Sequence, residues 1–499
     1  MEPYSPLFGH LPLMRDVRQD WPSDAHTTYA NLKLAREWQK YFPNATKCPP
    51  VIYMDLWPIM PDPWALVIDP AFAAQLTQDT PQPRHSMFRW ANIPLTGGLD
   101  LLAMDPANHK LWRSRLIPGF APRNLATHVP AIIEEVQTFA DIVKSKAGKG
   151  TDWGDMFTMY DSLVALTFDV IVRVATGLRV FEQRNTPGPM LVALRTLISY
   201  AKFNSLANRL ERLTPKYRRD VHRNTKIMDE NLRPQILSRL AASDTPKEQQ
   251  TIIDLAIKEV KSNGQIPSSD FIDIVISNIS SWVYWELQQH PEVLAKMRAE
   301  HDEVLGPDPK QAKDVISQNH HILNELRYTT ATIKETLRLR TPAGTFRETG
   351  GDDFRLVGKD GVVYPTHGAV LQTTAAVIHV SPAHWPRPAE FLPERFLVSD
   401  EEDPLRPARN AYRPFELGST RCIGEEMAMM EMKLALVLTV RELDFDFNYA
   451  LWDKVIGREV KPGRGEVNGQ RAYRAGQGMG YVKDNLPVRV RWRSAEIAH

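Results

Sequence analysis

The chain is short of several things, and each shortage excludes a class of protein. It has two cysteines, Cys48 and Cys422, in 499 residues. Two thiols so far apart cannot form a disulfide framework, and they suit a reducing compartment. Sixty-one basic residues against sixty acidic ones leave a net charge of +1, so bulk charge gives no reason to expect nucleic acid or an acidic partner. No apolar run reaches the roughly 18 residues of a membrane span, and no signal-peptide core appears. Internal repeats, low-complexity tracts and linkers are absent, which points to one domain over 1–499. The glycine-rich GQGMGYV lacks a preceding strand and a Gly-Lys-Ser/Thr, so it has no phosphate-loop context. Hydrophobic residues make up 43% of the chain, enough for a substantial core.

The most informative stretch is Tyr412–Lys433, YRPFELGSTRCIGEEMAMMEMK. Phe415, Gly418, Cys422 and Gly424 fit the spacing F-x-x-G-x-x-x-C-x-G. The residues after Gly424 read as a long helix that is apolar on more than one face and therefore buried. Cys422 thus lies in a glycine-containing loop entering a helix N-terminus, where the dipole and free N–H groups favour a thiolate. Such a thiolate is suited to ligate a haem iron. Gly418 and Gly424 would let the backbone turn tightly and pass close to a flat macrocycle. The alternative is a buried structural cysteine just before a helix.

Other segments recur in a telling order. VIYMDLW (51–57) and WALVID (64–69) read as a hairpin, and AFAAQL after Asp69-Pro70 as a short helix. A helical piece covers His26–Tyr41, and Pro81–Pro106 reads as an irregular loop carrying Phe88, Trp90, Ile93 and Leu95. NHKLWRSRLIPGFAP (108–122) is a basic helix, residues 125–180 hold two amphipathic helices, and 188–243 two more with a junction at Thr214-Pro215-Lys216. The run YRRDVHRNTK (217–226) is a solvated helix face. ILNELRYTTATIKETLRLR (322–340) is an amphipathic helix whose Glu335 and Arg338 are spaced to pair. TPAGTFR (341–347) and FLPERF (391–396) follow. Strand-prone runs lie near 354–357, 362–364 and 370–372, and ELDFDFNYAL and LPVRVRWR alternate as strands do.

Together these residues resemble the cytochrome P450 family over nearly the whole chain. The resemblance implies a mainly α fold with a small β portion and a haem with an axial thiolate from Cys422. It implies haem contacts from Arg113, Arg347, Phe415, Gly418, Arg421 and Gly424, and a buried register-holding network of Glu335, Arg338 and Arg395. It further implies that 81–106 roofs a hydrophobic pocket and that the GQGMGYV tip reaches its mouth. His379 is a hydrogen-bonded loop histidine or a supporting group. One departure concerns the propionates. Most members carry arginine two residues before the cysteine, but Thr420 stands there and Arg421 one place later. His109 also stands where many members have tryptophan.

A second departure lies in the central helix. SDFIDIVISN resembles its beginning, and SSWVYWELQQHPEVLAKMRAEHDEVLG its second half with the following helix. The A-G-x-(D/E)-T-T stretch between them, whose acid and alcohol relay protons in oxygen activation, is missing. Ser277-Asn278-Ile279-Ser280-Ser281 joins the halves directly. From Ser268 to His290 the helix would span about 35 Å, and relatives need roughly ten residues more. Three explanations compete: a dropped segment in the gene reading, a real deletion, or a variant in which Ser277, Ser280 or Ser281 takes the alcohol role.

The resemblance implies a monooxygenase acting on a hydrophobic small molecule, of fungal secondary metabolism by sequence style, with electrons from an NADPH-dependent cytochrome P450 reductase. Its alternatives are an oxygen-independent isomerase or dehydratase of the same fold, and a haem-binding but impaired product. Residues 1–20 look like the proline-rich hinge that follows a membrane anchor. An endoplasmic-reticulum surface is expected if an anchor is missing from this sequence, with the 188–243 region as a possible peripheral membrane contact, and the cytoplasm otherwise.

Overall fold

The computed structural model describes residues 3–60, 62–98, 100–185, 188–202, 205–241, 250–257, 271–342, 344–351, 353–460 and 465–494. Helices dominate. The main core gathers the helices Pro122–Ser145, Met159–Thr176, Phe271–Gln289, Arg327–Leu339 and Glu425–Val437. The Met159–Thr176 helix is apolar nearly all round, with buried residues on every face, so it runs inside the bundle. It ends at Gly177, whose φ of 78° lets its N–H close on the Arg173 carbonyl.

The small sheets tie distant segments together. Val51–Met54 and Trp64–Val67 form the expected hairpin. Trp64–Val67 then pairs in parallel with Val370–Thr373, which pairs antiparallel with Thr345–Arg347. A lone antiparallel bridge sets Arg84 opposite Arg347 on the outer edge of that sheet. Pro487–Trp492 lies between Phe157–Thr158 and Leu443–Asp446. Arg355–Val357 and Val363–Pro365 make a separate ribbon.

Caps explain several starts. Asp69 Oδ1 accepts from the N–H of Ala71 at 2.8 Å and opens Pro70–Ala74. Asp105 does the same for Pro106–Phe120, with proline in the first turn of each.

Four boundaries differ from the sequence reading. Met87–Thr96 is a helix inside the stretch read as an irregular loop; it ends at Gly97 (φ 65°), and Pro94 had masked its periodicity. The 26–41 helix breaks at Glu37 into Thr28–Arg36 and Trp38–Tyr41. The 188–243 region holds three helices, Pro189–Ser199, Leu206–Leu213 and Pro215–Ala241, its last residues lying outside those described. The central helix is described from Phe271 to Gln289, 19 residues or about 28 Å; the expected start at Ser268 falls outside the described residues. Ahead of it, Ile252–Ile257 lies on Pro106–Phe120 so closely that a Cβ on Gly119 would come within 2.9 Å of Ile252 Cγ2.

Candidate functional site

The cysteine loop is a tight arch. Cys422 N–H donates to the Phe415 carbonyl at 2.8 Å and Arg421 N–H to that of Gly418 at 3.1 Å. Phe415 is buried in the main core. Gly418 has φ +89°, and a Cβ there would lie 1.8 Å from the Thr77 carbonyl oxygen. Its need is therefore twofold, a left-handed backbone and a close approach to the turn Gln75–Asp79. Gly424 has an ordinary φ of −89° and serves as the N-cap of Glu425–Val437, so no tight turn requires it. The loop is braced from behind by residues the sequence did not single out. Arg413 Nε donates to Glu416 Oε1 at 2.7 Å and its Nη2 to Thr77 Oγ1 at 2.8 Å. Thr373 Oγ1 donates to Glu416 Oε2 at 2.7 Å.

The thiol corrects one expectation. Burial pushes the Cys422 thiol above its ordinary value, against the downward pull of the Gly424 N–H and the Arg84 and Arg113 charges. The helix start alone does not hold the thiolate; desolvation outweighs it. A bound cation removes that penalty, since a coordinating thiol is deprotonated outright.

Beside the loop the structure brings four basic side chains together. Arg113 and His109 come from Pro106–Phe120, Arg347 from its strand, and Arg84 from the segment before Met87–Thr96. Arg347 is fully buried; it donates to the Gln82 carbonyl at 2.9 Å and to Thr420 Oγ1. Arg84 Nη2 donates to the Thr420 carbonyl at 3.0 Å. Arg113 is half-buried. Burial pushes Arg84 down to about 9 and Arg347 to about 10, and Arg84 is further lowered by Arg347 and Arg113. His109 falls to about 4, through burial and then repulsion from Arg84, Arg113 and Arg347; it stays neutral.

This cluster is what an anionic macrocycle edge requires. Arg84 Nε, Arg347 Nε and His109 Nε2 are buried with no hydrogen-bond partner among the described residues. Unpaired buried donors and crowded guanidinium groups are costly unless an anion joins them. A basic cluster next to a thiol matches the propionates and iron of a haem. Arg421 lies at the edge of the cluster, near enough for its charge to help lower Arg113. It is exposed and paired with Glu425 at 3.2 Å, the i, i+4 partner its helix start offers.

The network behind the loop is assembled as its spacing suggests. Arg338 reaches both Glu335 oxygens at 2.8 Å, and Arg395 Nε reaches Glu335 Oε1 at 3.1 Å, all three side chains fully buried. Arg338 also donates to the carbonyls of His379, Pro388 and Glu390. His379 contacts Thr341 Oγ1 through Nδ1 at 2.6 Å and accepts the Arg413 N–H at Nε2. Burial lowers it to about 3, so it is a neutral hydrogen-bonded link between network and loop.

The central-helix serines are buried, and two of them are occupied by their own helix. Ser280 and Ser281 donate to the carbonyls of Ile276 and Ser277 at 2.8 Å. Ser277 Oγ lies 3.4 Å from the Leu163 carbonyl, on the Met159–Thr176 helix. Asn278 Nδ2 instead crosses to the Gly480 carbonyl at 2.8 Å, on the glycine-rich tip.

A helical fold with this cysteine arch and its basic flank defines a haem-thiolate protein. The sequence matches the family described as Cytochrome P450 over residues 30–450, and the chain belongs to that family. It is similar to cytochrome P450 monooxygenase polC of Polytolypa hystricis, 33% identical over 98% of this chain and 89% of that protein. It is also similar to cytochrome P450 monooxygenase acrF of Aspergillus aculeatus, 32% identical over 88% of this chain and 93% of that one. The fold matches the crystal structure of the cytochrome P450DA haem domain with a TM-score of 0.73, at 19% identity, covering 99% and 97% of the two chains. The chain is an oxidoreductase of the cytochrome P450 monooxygenase type, with haem as its cofactor. Among the described residues no helix is long and apolar enough to cross a membrane.

Proposed function

We propose that this chain, as one domain, oxidises a hydrophobic small molecule of fungal secondary metabolism with electrons from an NADPH-dependent reductase. The observation that carries the haem reading is the convergence of Arg113, Arg347 and Arg84 beside the Cys422 thiol. Cys422 Sγ would hold the iron, and Arg113 and Arg347 the propionates. Bound there, the haem supplies the dioxygen chemistry. The polypeptide's part is to seat it, exclude water and orient the substrate. An aromatic cluster beside the Arg84 segment is in keeping with a hydrophobic substrate: Phe88 and Phe346 rings lie 5.6 Å apart, and Phe346 meets Trp64 at 5.3 Å.

The central helix favours a second reading. Ser280 and Ser281 hydroxyls are committed to helix carbonyls, and no acid precedes them as the family's relay requires. Oxygen-independent isomerisation or dehydration, or haem binding with impaired turnover, needs no such relay.

One preparation tests both. The reduced, carbon-monoxide-bound protein is expected to show the red-shifted thiolate Soret band. Turnover that depends on NADPH and dioxygen would then support the monooxygenase. A thiolate band without such turnover would sink it in favour of the second reading, and a protein that takes up no haem would sink both.

A further inference from the structure

We infer that Arg84 supplies the haem-carboxylate charge that the threonine at position 420 removes. The inference rests on the haem reading. Thr420 stands where most of the family has arginine. Its side chain points into the basic cluster, since Arg347 donates to Thr420 Oγ1. An arginine at that position would therefore send its guanidinium into the space beside Arg347. In this chain another guanidinium is already there. Arg84 Nη2 holds the Thr420 carbonyl at 3.0 Å, so Arg84 is fastened to the residue whose function it takes over.

Two further observations show that Arg84 is placed for an anion. It faces Arg347 across a lone antiparallel bridge, and like charges directly opposite each other destabilise a strand pair. The pairing is nevertheless built firmly. His85 N–H donates to the Phe346 carbonyl at 3.1 Å, and Glu348 N–H to that of Pro83 at 3.1 Å. Secondly, the Nε atoms of both arginines are buried and have no hydrogen-bond partner among the described residues. Two facing guanidiniums, each with an idle donor, form a fork that one carboxylate can bridge. Carboxylates in the neighbourhood do not fill that role. Glu416 is taken by Arg413 and Thr373, and Asp100 by Asn92 and Thr96.

The test measures haem retention in the full chain, by transfer of haem to excess apomyoglobin. The wild type, Arg84→Gln, Thr420→Arg and the double variant Arg84→Gln/Thr420→Arg are compared. Arg84→Gln is expected to release haem about tenfold faster, the loss of one charge-assisted contact, and to lower the iron reduction potential. The double variant is expected to return both quantities toward wild type, because an arginine at 420 restores the cation. Arg84→Gln releasing haem at the wild-type rate would overturn the inference. So would a double variant no better than Arg84→Gln, which would make Arg84 a merely structural link. If Arg84→Gln proves less stable as apoprotein, the double variant still decides, since recovery needs a charge at 420 and not the lost side chain. A wild type with no thiolate-ligated haem would sink the haem reading itself, a different and separately visible outcome.

Discussion

A carboxyl group with one idle oxygen sits in the middle of the helical core. Glu431, on Glu425–Val437, is 1% exposed. Its Oε1 lies 2.7 Å from Thr167 Oγ1, and its Oε2 has no partner among the described residues. Thr167 Oγ1 is also 2.9 Å from the Leu163 carbonyl, and one hydroxyl proton serves one acceptor at a time. A protonated Glu431 that donates to Thr167 leaves the threonine free to donate to Leu163, so the neutral acid satisfies the pair. Burial accordingly raises Glu431 from 4.5 to about 7. For an acid raised on folding, the folded state binds the proton more tightly than the unfolded one. Stability is therefore fullest below pH 4.5, declines as pH rises toward 7, and is level above it. The full loss is on the order of 3 kcal/mol. Glu431→Gln, which keeps the shape and the hydrogen-bonding capacity, is expected to flatten that slope in denaturant melts across the window. An unchanged slope would mean that Glu431 does not titrate there.

At the scale of elements, the cysteine loop depends on a contact that its own sequence does not contain. Gly418 is fitted against the Thr77 carbonyl of the turn Gln75–Asp79, some way off along the chain. Gly418→Ala forces the left-handed backbone to carry a Cβ into that oxygen, so the loop must move away from the turn. A cost of about 1–3 kcal/mol is expected from the backbone alone. Faster haem release and a thiolate band that decays to the form lacking the thiolate would register it; a haem-release rate equal to wild type would show that the loop absorbs the shift. The glycine itself was legible from its spacing, and so were Cys422, Phe415 and the Glu335, Arg338 and Arg395 set, because each lies in a compact motif. Strand pairs were legible where alternation is local, as in Val51–Met54 with Trp64–Val67. Arg84, Arg413 and Glu416 were not, because each acquires its role from a partner in another segment. Arg84 lies between Pro83 and His85, with no periodicity to mark it, and only the bridge to Arg347 gives it meaning. The Met87–Thr96 helix was missed for a related reason: Pro94 interrupts the local signal while packing keeps the helix.

Across the whole molecule, the glycine-rich tip between Arg474–Ala475 and Tyr481–Val482 is where the first, middle and last parts of the chain meet. His26 Nε2 contacts the Gly478 carbonyl at 2.8 Å, and Gly476 N–H donates to the Asp24 carbonyl at 2.8 Å. Arg474 spans from the Thr341 carbonyl at 2.8 Å to that of Met479, also 2.8 Å from its Nε. Asn278 binds Gly480 from the central helix. Glycines with positive φ at 476, 478 and 480 would leave such a hairpin loose, and these side chains fix it in one position. The Asn278 contact is the one that the central helix makes with the tip. Asn278→Ala removes one buried hydrogen bond, worth about 1 kcal/mol, and leaves the His26 and Arg474 contacts in place. Amide exchange at 476–480 is therefore expected to quicken about fivefold, with the Cys422 loop and the Soret band unaffected. Exchange at wild-type rates would mean that His26 and Arg474 alone set the tip, and that the central helix has no bearing on it. A faster tip would instead make the central helix, through Asn278, part of what holds the glycine-rich tip in place.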